Sequence, residues 1–220
     1  VLDFNEIFWD YKPNSNFFVK QATIDPNEPF SIFHTVIHPS RHHLPPILDA
    51  KEAEVKNHQK FGTFSMVKLD SLTPEQQTKI IPAVWAVVWK GSQTSGKYKA
   101  RLCARGDKEP NVDSIRTDAP TASKDSIRLL LTLAASMGWK LHSLDFQAAF
   151  CQGKTLEREL YLNPPADIRK QNPGYVLKVI KAIYGLKDAS RGWVLEVRDF
   201  LLQCQCVQSD MDKAVYYYFD

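Results

Sequence analysis

The chain has 220 residues, 44% of them hydrophobic, and its 28 Lys and Arg against 25 Asp and Glu give a formal net charge of +3. This content can bury a sizeable core, and the near-neutral balance excludes a protein that binds polyanions through overall charge alone. The four cysteines form no C-x-x-C pair, which argues against disulfides or a zinc site, and no apolar run approaches the ~20 residues of a membrane span.

Residues 1–46 are rich in Pro, Asn, Ser and His and show no sustained hydrophobic period, so we expect an irregular arm. Pro39 interrupts any helix that could stack the histidines of "HTVIHPSRHH", and no Cys or acidic residue completes a ligand set, so a metal site is the less favoured interpretation. The histidines are His34, His38, His42 and His43. A start without Met and an end within the strand-like "AVYYYFD" indicate a piece of a longer protein.

A helix is predicted at "LDAKEAEVKNHQKFG", where Asp49 and Glu52 resemble a capping pair and Gly62 can end the helix. Strands are predicted at "FSMVKLD" and "AVWAVVWK". A turn rich in Gly and Ser then leads into "KYKARLCAR", the expected return strand of a hairpin.

The return strand has an unusual charge pattern. A period of two puts cations and Cys103 on one face and apolar residues on the other. The cations are Lys97, Lys99, Arg101 and Arg105. From Ala86 to Pro110 the chain carries six Lys or Arg against two acids, which makes this segment a candidate phosphate-binding surface. A solvated surface hairpin is the alternative.

The strongest predicted helix is "TASKDSIRLLLTLAASMGW", with Ser123 as cap and Gly138 as stop. Its apolar face comprises Ile127, Leu130, Leu131 and Ala134. The stretch "WKLHSLDFQAAF" follows as a strand with a single acidic residue, Asp145. Its apolar neighbours predict a buried or nearly buried carboxylate, which would need a cation nearby; a strand whose polar residue faces water is the alternative.

The last part of the chain predicts short strands at "ERELYLNPP" and "YVLKVIKAIYGL", an amphipathic helix at "DASRGWVLEVRDFLLQCQC" and a strand at "KAVYYYF". Helices and strands mix without regular βα alternation, so the predicted fold class is α+β.

Several of these segments, in this order, resemble the reverse transcriptase of Ty1/copia-type LTR retrotransposons. The segments are "YKARLCARG", "TDAPTASKDSIRLLLTLAASMGWKLHSLDFQAAFCQGK", "ERELYLNPP", "IKAIYGLKDASRGW" and "SDMDKAVYYY". The resemblance runs from about Asp49 to the end of the chain. Asp107, Cys151 and Val194 depart from the family pattern without removing a catalytic group.

The resemblance implies a right-hand polymerase fold made of fingers plus an incomplete palm. Residues 1–46 would be an irregular arm or linker, 47–116 and 152–186 the fingers, and 117–151 and 187–220 the palm. The implied activity is template-directed DNA synthesis from deoxynucleoside triphosphates on RNA or DNA.

The same resemblance implies roles for individual residues. Asp145 would be the first catalytic, metal-binding aspartate, and the Phe146 carbonyl a second ligand, in an enzyme that uses two Mg²⁺ or Mn²⁺ ions. Nucleotide binding would involve Lys99, Arg101 and Arg105, the N–H groups of Ala148 and Ala149, and the ring of Phe150, which would exclude a 2′-hydroxyl. Nucleic acid would be contacted by Tyr184, Gly185, Lys187 and Arg191.

Several of these residues have a purely structural role as the alternative interpretation. Phe150 can be core packing, Arg105 can serve a structural or template role, and Lys187 and Arg191 can be surface charges around a helix start. The family's adjacent Asp-Asp pair does not occur in these 220 residues, so we expect that the chain alone does not polymerise DNA. The competing interpretation is a non-enzymatic remnant, or a domesticated nucleic-acid-binding or assembly module of a larger complex.

The expected partners are an RNA or DNA primer–template, dNTPs and the rest of a polyprotein with palm, thumb, RNase H and integrase parts; no membrane partner is expected. The expected location is intracellular, either cytoplasmic in a virus-like particle or nuclear.

Overall fold

The computed structural model describes residues 19–21, 34–91 and 96–218. The helices are α1 (Pro45–Phe61), α2 (Pro74–Gln77), α3 (Lys124–Met137), α4 (Ala166–Gln171) and α5 (Ala189–Gln203). The first strands are β1 (Val19–Gln21), β2 (His34–Val36), β3 (Phe64–Lys68), β4 (Ile80–Gly91) and β5 (Gly96–Ala104). They are followed by β6 (Leu144–Phe146), β7 (Tyr161–Asn163), β8 (Tyr175–Val179), β9 (Val207–Gln208) and β10 (Tyr216–Tyr217). This mixed content agrees with the predicted α+β class.

The main sheet has six strands in the order β2-β4-β7-β8-β3, with β5 paired to β4. Its pairs are antiparallel except for the parallel pair of β4 with β7. The segment expected to be an irregular arm contributes β2 to this sheet and β1 to a separate pair with β6. Within the described ranges no group of three or more His, Cys, Asp or Glu residues is placed to hold a metal ion.

The hairpin of β4 and β5 is confirmed, with register from Ala83 opposite Ala104 to Gly91 opposite Gly96. The alternation along β5 is confirmed as well: Ala100, Leu102 and Ala104 are buried. Leu102 joins a core with Leu160, Leu162, Leu177 and Ile183, and α1 covers the neighbouring part of the sheet through Ile47. Apolar burial on one face therefore fixes which side of β5 its cations must occupy.

Helix α3 begins and ends as predicted. The Ser123 hydroxyl accepts a hydrogen bond of 3.0 Å from the Ser126 N–H, and Gly138 ends the helix in the left-handed conformation at φ 65°. Its apolar face is largely uncovered among the described residues, however, because only Ala134 is buried. Ile127, Leu130 and Leu131 remain 47%, 45% and 49% exposed. Periodicity predicts which side chains share one face of a helix. Whether that face is buried depends on a second element that packs against it.

None of the helices in the described residues has the length and apolarity that a membrane crossing requires.

Candidate functional site

Two cations of β5 form a basic face of this strand. Lys99 and Arg101 lie on the same strand face, and within the described ranges neither forms an ion pair with a carboxylate. Lys99 is exposed, but partial desolvation of its ammonium lowers its pKa, and the positive charges of Arg101 and Lys90 add to that shift. The charges of Glu54 and Asp145 oppose it, which places Asp145 within electrostatic reach of Lys99. Neighbouring cations without anions of their own form a site that favours an added anion.

Two aromatic rings connect this strand to the segment after Asp145. The Arg101 guanidinium carbon lies 4.8 Å from the centroid of the Tyr184 ring. The same ring meets Phe150, with centroids 5.0 Å apart and planes inclined at 59°. Burial raises the pKa of the Tyr184 hydroxyl, so the ring stays neutral near pH 7. Tyr184, predicted to contact nucleic acid, thus contacts both Arg101 and Phe150, which were predicted to bind nucleotide.

The turn that carries Tyr184 is fixed to the end of β5 by its backbone. The Tyr184 carbonyl accepts a hydrogen bond of 2.7 Å from the Ala104 N–H. Gly185 has φ +90°, and a Cβ there would lie 2.1 Å from the Ala104 carbonyl oxygen. A Cβ at Gly106 would likewise lie 2.2 Å from the Gly185 carbonyl oxygen. Only glycines permit this approach of two backbones.

Asp145 lies on β6, whose backbone pairs antiparallel with β1 so that Lys20 is opposite Asp145. The Asp145 side chain is exposed, so the expectation of a buried or nearly buried carboxylate is wrong. The physical reason is that β6 has three residues and a single neighbour within the described residues, which leaves the aspartate facing solvent. The next residue, Phe146, packs against Trp193 of α5 with ring centroids 5.0 Å apart.

The chain turns sharply directly after β6. Ala148 adopts a left-handed conformation at φ 48° and ψ 44°, followed by a short 3₁₀ turn over Ala149–Gln152. A left-handed alanine costs about 1–2 kcal/mol, and such strain is concentrated at functional sites. The Ala148 carbonyl accepts from the Cys151 N–H at 2.8 Å. Within the described residues, the N–H groups of Ala148 and Ala149 donate to no carbonyl.

The remaining sequence-predicted cations are held by carboxylates. Arg105 lies past the end of β5, and its Nε and Nη2 each donate to Asp107 at 2.8 Å. This pairing lowers the pKa of Asp107 to about 2. Lys187 lies 3.4 Å from Asp113, and Arg191 donates to Asp118. Lys99 and Arg101 differ from these cations, because they have no carboxylate partner in the part of the chain that the structure describes.

The donors for metal ions are few. Asp145 offers a carboxylate and Phe146 a carbonyl, and the described ranges contain no cluster of three His, Cys, Asp or Glu residues around them. Two divalent ions together require several carboxylate oxygens as ligands. The residues present therefore do not fit a two-ion centre.

Sequence reasoning missed a buried polar network beneath the 3₁₀ turn. His58 of α1 is fully buried, with Nδ1 2.7 Å from the Thr63 hydroxyl and Nε2 3.5 Å from Glu54 Oε1. Cys151 Sγ lies 3.7 Å from His58 Nδ1, and burial raises the pKa of this thiol to about 12. The i, i+4 spacing of Glu54 and His58 was the available signal. The network anchors α1 to the turn that follows Asp145.

The family model described as reverse transcriptase (RNA-dependent DNA polymerase) matches residues 62–220. The chain is 37% identical over 147 residues to the retrovirus-related Pol polyproteins from transposons RE1 and RE2 of Arabidopsis thaliana, covering 65% of this chain and 10% of each relative. It is 29% identical over 197 residues to that from transposon TNT 1-94 of Nicotiana tabacum, covering 88% of this chain and 14% of the relative. The chain thus spans about a tenth of these relatives, and no solved structure matches it.

Proposed function

This chain belongs to the reverse transcriptase (RNA-dependent DNA polymerase) family of copia-type retrotransposons, and we propose that the basic face of β5 binds a deoxynucleoside triphosphate on a primer–template. The observation that carries the proposal is the pair of cations Lys99 and Arg101. Both lie on one face of β5 without a carboxylate partner among the described residues, and Lys99 lies within electrostatic reach of Asp145.

The roles of the nucleotide-binding residues follow from the chemistry of phosphoryl transfer. Lys99 and Arg101 bind the β- and γ-phosphates, where positive charge stabilises negative charge that shifts during the reaction. The N–H groups of Ala148 and Ala149, which donate to no carbonyl among the described residues, donate to other phosphate oxygens. Phe150 lies beneath the sugar and disfavours a 2′-hydroxyl.

Nucleic acid would lie along the turn after β8 and the start of α5. Gly185 permits close approach of a strand, and Lys187 and Arg191 contact phosphates, exchanging their present carboxylate partners. Arg105 would likewise have to exchange its Asp107 partner for a phosphate. In this proposal residues 47–116 and 152–186 are fingers and residues 117–151 and 187–220 are palm, in a right-hand arrangement.

Catalysis with divalent ions needs more metal-ligating oxygens than these residues supply. Asp145 is the proposed catalytic carboxylate and, with the Phe146 carbonyl, would ligate a divalent ion; the family generally uses such ions. Since no further carboxylates cluster there among the described residues, we propose that the 220 residues alone bind substrates without polymerising them. A nucleic-acid-binding module is the second candidate function, and the same incomplete donor set favours it.

Binding measurements with neutralised cations test the proposal. The affinity of the chain for dTTP and for a primer–template is measured by titration across a range of salt concentrations. We expect Lys99→Gln and Arg101→Gln to weaken dTTP binding by about tenfold each, and to reduce the salt slope for the primer–template by about 1. Lys170→Gln removes an exposed cation of α4 and is the matched control. Equal behaviour of all three variants would contradict the proposal.

A further inference from the structure

The Tyr184 ring contacts Arg101 of β5 and also Phe150, which lies in the segment after β6. Its centroid lies 4.8 Å from the Arg101 guanidinium carbon and 5.0 Å from the Phe150 ring centroid. A ring that packs against two other side chains and is partly buried has limited surface left for a ligand. Its contacts therefore point to an internal role.

The position of Arg101 depends on this ring. Within the described residues Arg101 forms no ion pair, and its buried Nε has no hydrogen-bond partner. Arginine has a long side chain with many rotamers, and it loses their freedom whenever it is fixed in one place. The face of an aromatic ring attracts a guanidinium without neutralising its charge or occupying its donors. The Tyr184 hydroxyl also interacts with the Arg101 side chain. Arg101 is thus held in place, while its Nε, which has no partner among the described residues, stays available for an anion.

The ring itself is rigidly placed. The Tyr184 carbonyl is hydrogen-bonded to the Ala104 N–H, three residues beyond Arg101 on the same strand. Gly185 at φ +90° and Gly106 let the two backbones approach to distances that no side chain would allow. The distance from the end of β5 to Tyr184 is therefore fixed by backbone contacts, which are less variable than contacts between side chains.

We propose that Tyr184 is a positioning residue, which holds the Arg101 guanidinium at the triphosphate site and keeps the Phe150 ring beside it. This inference rests on the proposed function, because it assigns Arg101 to the phosphates. It replaces the expected nucleic-acid contact of Tyr184 with an indirect role. Removal of the ring should leave Arg101 present but poorly oriented. Removal of the hydroxyl alone takes away only its weaker interaction with Arg101 and should change little, because the ring face remains.

Nuclear magnetic resonance of the Arg101 Nε–H group tests the contact without any ligand. A guanidinium above an aromatic ring is shielded, so its Nε–H signal, assigned by its loss in Arg101→Lys, should lie upfield in the native chain. Tyr184→Phe keeps the ring and should keep this shift, whereas Tyr184→Leu should abolish it. Titration of each variant with dTTP should show weakening of about threefold to tenfold for Tyr184→Leu and native affinity for Tyr184→Phe.

The outcomes separate this inference from the function on which it rests. An unchanged Arg101 signal in Tyr184→Leu overturns the positioning role. A native chain that does not bind dTTP, with the signal still lost in Tyr184→Leu, contradicts the proposed function and leaves the contact intact. Weaker primer–template binding in Tyr184→Phe with native dTTP affinity would show direct nucleic-acid contact and reject the inference.

A further measurement keeps the test decisive if Tyr184→Leu fails to fold. The ring signals of Tyr184 in the native chain are compared with those in Arg101→Met. A change at the Tyr184 ring supports the contact, and identical ring signals overturn it.

Discussion

The Asp212 carboxylate accepts a hydrogen bond of 2.6 Å from the hydroxyl of Ser126, which lies 86 residues earlier in the chain. It also accepts from the Ser123 N–H at 2.8 Å, so it supports the cap of α3. These donors lower the pKa of Asp212 to about 2. A carboxylate near β9 and β10 is thus bound to the start of α3.

The first prediction concerns the pH dependence of this contact. Because folding lowers the pKa of Asp212 from its usual 3.8 to about 2, its stabilisation is complete above pH 4 and is lost as the pH falls towards 2. We expect Asp212→Asn to lower the free energy of unfolding at pH 6 and to differ little from the native chain near pH 2. Urea unfolding at both pH values measures this. Asp125→Asn, at an exposed position of α3, is the control.

The second prediction compares two leucines that the sequence pattern cannot distinguish. Leu162 of β7 is fully buried, whereas Leu130 of α3 is 45% exposed. We expect Leu162→Ala to cost about 2–5 kcal/mol of unfolding free energy and Leu130→Ala about 0.5 kcal/mol. Urea unfolding of both variants checks the difference. A cost for Leu130→Ala as large as that of Leu162→Ala would show that its face is covered in solution.

The third prediction concerns the turn that carries Tyr184. Gly185 and Gly174 have similar positive φ angles, +90° and +78°, but a Cβ meets a backbone oxygen only at Gly185. We expect Gly174→Ala to cost about 1 kcal/mol from its conformation alone. Gly185→Ala should cost about 1–3 kcal/mol more, because the backbones must separate. Thermal unfolding of the two variants gives the comparison, and equal losses would argue against the close approach.

The fourth prediction concerns the reactivity of the cysteines. Burial raises the pKa of Cys151 to about 12, so only about one molecule in 10⁴ carries its thiolate at pH 8. We expect a thiol reagent to modify the partly exposed Cys103, Cys204 and Cys206 well before Cys151 in the native chain. Mass spectrometry of the modified peptides measures each rate. In concentrated denaturant the rates should converge, and early modification of native Cys151 would contradict its placement.

Much of the fold could be predicted from local sequence signals. Ser123 and Gly138 mark the ends of α3, and the alternation along β5 separates Lys99 and Arg101 from the buried Leu102. Capping and strand alternation act over a few neighbouring residues, so they can be read without knowing the rest of the fold. The family resemblance was confirmed by comparison with known proteins, while the individual site roles stay predictions.

One expectation failed because it concerned surroundings. Asp145 was predicted to be buried or nearly so and is exposed. The apolar face of α3 with Leu130 and Leu131 stays largely uncovered for the same kind of reason. An apolar neighbourhood in sequence describes only the chain itself. The cover over a helix face or a strand depends on other segments, and their placement is a property of the whole fold.

The sequence by itself determined the family, the cationic strand face and the ends of its clearest helix, because these depend on residue type and short spacing. Only the tertiary structure decided that Tyr184 meets Arg101 and Phe150, and that the Glu54 and His58 pair lies beneath the turn after Asp145. Those contacts join segments far apart along the chain. Their geometry follows from the common core and from the close backbone approach at Gly106 and Gly185, which no local pattern contains.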